Sequence, residues 1–78
     1  MSENEIVLKL SKAEALVFFE WLARHDVADD FPVIHPAEEK VLWRLLGFLE
    51  STLVEPFAKN YNEIIAEARQ SVESAPNC

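Results

Sequence analysis

The chain is poor in glycine, in cysteine and in cations. Its one glycine, Gly47, sits inside a helix-forming stretch, so there is no glycine-rich loop to cradle a phosphate. Its one cysteine, Cys78, cannot make a disulfide within the chain, and a reducing cytoplasm is the expected setting. Seven Lys and Arg stand against fourteen Asp and Glu, a formal charge of −7. Such a field repels nucleic-acid phosphates and anionic membranes, and suits solubility or a basic protein partner. Long apolar runs are missing too. The longest, Ala15 to Phe19, is far too short to cross a bilayer. The acidic start MSENEIV lacks a basic n-region, so no signal peptide is expected.

What is abundant is apolar surface. Half of the 78 residues are hydrophobic, including two Trp and five Phe. A chain this short barely buries enough of that surface to fold alone. The excess is expected in a dense core or in an oligomer interface.

Glu5 to Leu10 alternate, with Ile6, Leu8 and Leu10 on one face and Glu5, Val7 and Lys9 on the other. This pattern predicts a strand. Its backbone groups need a partner, either the short extended piece Phe31-Pro32-Val33-Ile34 or the same strand of a second copy. Ser11-Lys12-Ala13-Glu14 reads as a capping box that opens a helix from Lys12 to about His25. Ala15, Phe18, Phe19 and Leu22 share one face of it, and Val17 and Trp21 lie on a second. Asp26 to His35 is expected as a loop, broken by Pro32 and Pro36.

Pro36, with Glu38 and Glu39 behind it, predicts the start of a second helix running to about Val54. Its stripe is broad: Val41, Leu42, Leu45, Leu46, Phe48, Leu49 and Leu53, with Leu45 and Leu49 at the centre of the expected core. Asn60 and Glu63 read as a further cap, for a third helix from Tyr61 to about Val72. The expected architecture is therefore α+β and mainly α, β-α-α-α. It forms a single domain over residues 1–73, with residues 74–78 as a disordered tail.

Chemistry is thinly represented. The segment His25 to His35 holds two imidazoles and three carboxylates, ligand types for a transition metal. Their spacing matches no zinc or calcium pattern, so no metal and no cofactor is assigned. No serine stands in a nucleophile motif, and no carboxylate pair can be placed in a dry pocket from sequence. No enzyme is expected. The better lead is the two tryptophans, a residue type enriched at interface hot spots. Trp21 with Val17, and Trp43 with Gly47, make up the candidate interface. The pattern leaves Trp21 open between core and interface.

The order strand, helix, helix over residues 1–54 resembles the ribbon-helix-helix fold. Such proteins pair strands to dimerise and read DNA with outward strand residues. The outward set here, Glu5, Val7 and Lys9, is a poor one for reading bases. A second resemblance covers most of the chain. LSKAEALVFFEWL, AEEKVLWRLLGFLE and LVEPFAKNYNEIIAEAR are similar to stretches of small uncharacterised bacterial proteins. It implies a bacterial cytoplasmic setting and carries over no catalytic residue. The reading that results is a non-enzymatic acidic protein–protein interaction or regulatory module. It is expected to be a homodimer, with no nucleic-acid or membrane partner. The alternative is a ribbon-helix-helix-like DNA-binding regulator or antitoxin.

Overall fold

A computed structural model describes residues 4–75. It contains three helices, α1 (Lys12–Ala28), α2 (Pro36–Thr52) and α3 (Tyr61–Ser74), with a single 3₁₀ turn at Glu55–Phe57. Among the described residues there is no strand. This corrects the expected β-α-α-α architecture: the chain is helical throughout its regular structure. The physical reason is the one that made the strand conspicuous. A strand exists only if its backbone finds a ladder, and among the described residues no backbone hydrogen bonds join Glu5–Leu10 to another segment. The expected intrachain partner is folded differently. The Val33 N–H donates to the Phe31 carbonyl at 2.8 Å, closing a three-residue turn rather than an extended edge.

The capping box at the start of α1 is formed. Ser11 Oγ accepts from the Glu14 N–H at 3.0 Å, and Glu14 Oε1 accepts from the Ser11 N–H at 2.8 Å. The helix runs three residues past His25, because nothing before Asp29 interrupts it. There the backbone turns left-handed, at φ 55°. The Asp29 N–H reaches the Asp26 carbonyl and the Asp30 N–H reaches the His25 carbonyl, the paired bonds of a Schellman ending.

In α2, Pro36 occupies the first position, where its missing N–H costs nothing. His35 caps it, Nδ1 accepting from the Ala37 N–H at 3.0 Å, and Glu38 accepts from the Ile34 N–H at 2.8 Å. The helix stops at Thr52, two residues before the expected end. Ser51 and Thr52 both donate to the Phe48 carbonyl, and Leu53 leaves the helix in an extended conformation that puts its side chain in the core.

Asn60 stands at the N-cap of α3, where the sequence placed it, but without the expected side-chain bond. The Glu63 N–H goes to the Asn60 carbonyl instead. α3 ends at Ser74, two residues beyond Val72, and Ala75 follows. The remainder of the expected tail, residues 76–78, lies outside the described residues, as do residues 1–3.

Helix α1 is central and packs against α3 more extensively than against α2. Leu16, Phe19 and Leu22 of α1 meet Leu49 and Leu53 from the α2 end, and Ile65 and Ala68 of α3. Two polar ties brace this arrangement. Tyr61 donates its hydroxyl to Glu20 at 2.9 Å, joining α3 to α1. Lys12 donates to Glu55 at 2.9 Å, joining the start of α1 to the 3₁₀ turn, and this bond holds the Glu55 carboxyl below its ordinary range.

Candidate interaction surface

The residues with chemical potential do not converge. His25 lies one turn from Trp21, with ring centroids 4.2 Å apart, and stacks on Phe31 at 6.0 Å. Its Nδ1 is 2.7 Å from Asp30 Oδ1. Both partners come from the Schellman turn that folds Asp30 and Phe31 back over the end of α1. His35 is occupied elsewhere as the cap of α2. Among the described residues no group of three or more His, Cys, Asp or Glu is placed to hold a metal ion. Cys78 lies outside the described residues.

The four candidate interface residues fall into two pairs, each one turn apart on its helix. Val17 and Trp21 belong to α1. Both are half-buried and pack against the core; Trp21 also meets Phe31 at 6.1 Å, and Val17 lines a shallow groove with Arg69, Val72 and Glu73 of α3. Trp43 and Gly47 belong to α2. Trp43 is 50% exposed, and a Cβ built on Gly47 would meet nothing within 4 Å. No ring contact links the two tryptophans.

The broad stripe of α2 divides. Leu42, Leu46 and Leu49 turn toward α1, and Leu49 is buried. Val41, Leu45 and Phe48 do not: they are 55%, 39% and 64% exposed. This corrects the placement of Leu45 at the core centre beside Leu49. At about 100° per residue, Val41, Leu45 and Phe48 lie about 100° round the helix from the core-facing leucines, and Trp43 with Gly47 about 110° round the other way. One neighbouring helix cannot cover so wide an arc. The signal was in the sequence, as the width of the stripe rather than any single residue.

Val41, Leu45 and Phe48, with Arg44, line one groove. A second groove of about 280 Å3 runs between the N-terminal segment and the end of α2, with Leu8, Leu10, Ala15 and Leu53 among its walls. Phe48 belongs to both. Ile6, Val7 and Leu8 are largely exposed beside it in sequence. Among the described residues, twelve large hydrophobic side chains are exposed, seven hydrophobic residues are buried, and eleven more pack partly buried against those seven. Exposed apolar groups gathered on one face mark an interaction site.

Compared with protein-family models, with curated proteins and with solved structures, the chain finds no match in any of the three. No helix among the described residues is long and apolar enough to cross a membrane.

Proposed function

We propose that the chain is a non-enzymatic, acidic protein–protein interaction or regulatory module, acting as a homodimer in a bacterial cytoplasm. The observation that carries this reading is the apolar surface on both flanks of α2's core-facing side. The flank bearing Trp43 suits an outside partner. Trp43 has Glu39 and Lys40 one turn before it and Glu50 two turns after it, so an indole is offered among two carboxylates and one ammonium. A basic side chain docking there gains both the ring face and the charges. Gly47 adds to the argument. A mid-helix glycine costs about 1 kcal/mol relative to alanine, and no other element among the described residues occupies the space its missing Cβ leaves. A partner backbone approaching closely would give that space a use.

The test is co-purification of the untagged chain from its host, followed by two variants. Retention of a basic protein by wild type, its loss with Trp43→Ala, and an unchanged helical spectrum are the expected results. Gly47→Ala should raise the melting temperature while weakening that retention. A stoichiometric partner that ignores both substitutions places the contact elsewhere, and no partner at all removes this reading of Trp43.

A further inference from the structure

The other flank of α2 faces a different kind of occupant. Val41, Leu45 and Phe48 are 55%, 39% and 64% exposed, and Leu8 and Leu10 of the N-terminal segment stand exposed in the adjoining groove.

We infer that a second copy of this chain covers the continuous apolar face formed by Val41, Leu45, Phe48, Leu8 and Leu10. This rests on the dimeric part of the proposed function and assigns the dimer a surface. Two features favour a second copy as the occupant. The face carries both halves of a self-complementary contact, since Phe48 stands at the junction of two grooves and a two-fold axis can seat each copy's Phe48 in the other's groove. Finally, no carboxylate lines either groove, although the chain carries −7 overall. Two such acidic chains can meet there without setting carboxylate against carboxylate. The cation at the edge of the first groove, Arg44, also turns away a basic partner, which separates this face from the Trp43 flank.

Sedimentation equilibrium across the micromolar range tests the assignment on the full chain. Wild type should sediment as a dimer. Phe48→Glu should weaken association at least ~100-fold, because it buries an unpaired charge in each half of a symmetric contact. Phe48→Ala, a milder truncation of a side chain outside the core, should weaken it by about tenfold, and it keeps the test decisive if Phe48→Glu fails to fold. Trp43→Ala should leave the dimer intact. A wild-type dimer untouched by both Phe48 variants overturns the assigned surface and leaves the dimeric reading standing. A wild type monomeric throughout the range overturns both. A monomer that binds an acidic amphipathic helix through Phe48 replaces the second copy with that partner, and likewise overturns the inference.

Discussion

Asp29 ends α1 in a left-handed conformation that costs an L-residue about 1–2 kcal/mol. It also sets a carboxylate at the negative end of a helix that already carries Asp26 nearby. Glycine, the usual residue at this point of a Schellman ending, gives up about 0.5–1 kcal/mol in the unfolded chain but removes both penalties. Asp29→Gly should therefore stabilise the fold by about 1 kcal/mol, read as a higher denaturant midpoint with an unchanged slope. A lower midpoint would mean that the Asp29 side chain makes a contact worth more than its strain. The same scale separates two leucines that look equivalent in sequence. Leu49 is buried and Leu45 is not. In dilute solution Leu49→Ala should cost about 2–4 kcal/mol, and Leu45→Ala less than about 1 kcal/mol. Equal losses would return Leu45 to the core. Helical periodicity placed both on one apolar arc, but it could not say how much of that arc the neighbouring helix would reach.

At the scale of elements, what the residues disclosed depends on how local each interaction is. The Ser11–Glu14 box is four consecutive residues and needs no other part of the fold, so its pattern and its bonds agree. Asn60–Glu63 has the same pattern and marks the helix start correctly, but its side chains do not close the box. A capping side chain needs its own backbone extended, and after the 3₁₀ turn Asn60 sits at φ −101°, ψ 34°. The expected strand failed for a related reason: alternation describes one edge, while a ladder requires two. With no strand formed, the topology behind the ribbon-helix-helix resemblance is not present among the described residues. The tie between α3 and α1 was not legible at all, since Tyr61 and Glu20 are far apart in sequence.

That tie makes a prediction for pH. Burial, and then the hydrogen bond to Glu20, push the Tyr61 phenol up from 10.0 to about 12. The neutral phenol is the form the fold favours. The stability it contributes is fully present below pH 10, the unfolded value, and is lost as pH rises toward 12. Since Tyr61 is partly open to solvent, the loss should amount to about 1 kcal/mol after screening. Tyr61 is the only tyrosine, so phenolate absorbance reports it alone. The folded chain should titrate near pH 12 and the denatured chain near 10. Tyr61→Phe should remove the alkaline step. Identical titrations in the two states would mean that Glu20 and burial do not act on this phenol.

For the whole molecule, the decisive quantity is how much apolar surface one chain leaves uncovered. Three short helices, with α1 at the centre, bury few large side chains, and α2 offers apolar groups on both flanks of its buried side. A fold completed by association should behave as one in solution. If the second copy stabilises the native chain and has no affinity for the unfolded one, melting becomes concentration-dependent by mass action. Each tenfold rise in protein concentration should then raise the melting temperature by roughly 3–5 °C, given the unfolding entropy of a chain this size. Phe48→Glu, confined to the proposed self-contact, should abolish that dependence and leave a lower, concentration-independent melt. Trp43→Ala, on the opposite flank of α2, should keep it. A wild-type melting temperature that stays constant with dilution would mean that the small core suffices alone, and the exposed face of α2 would then need a different occupant.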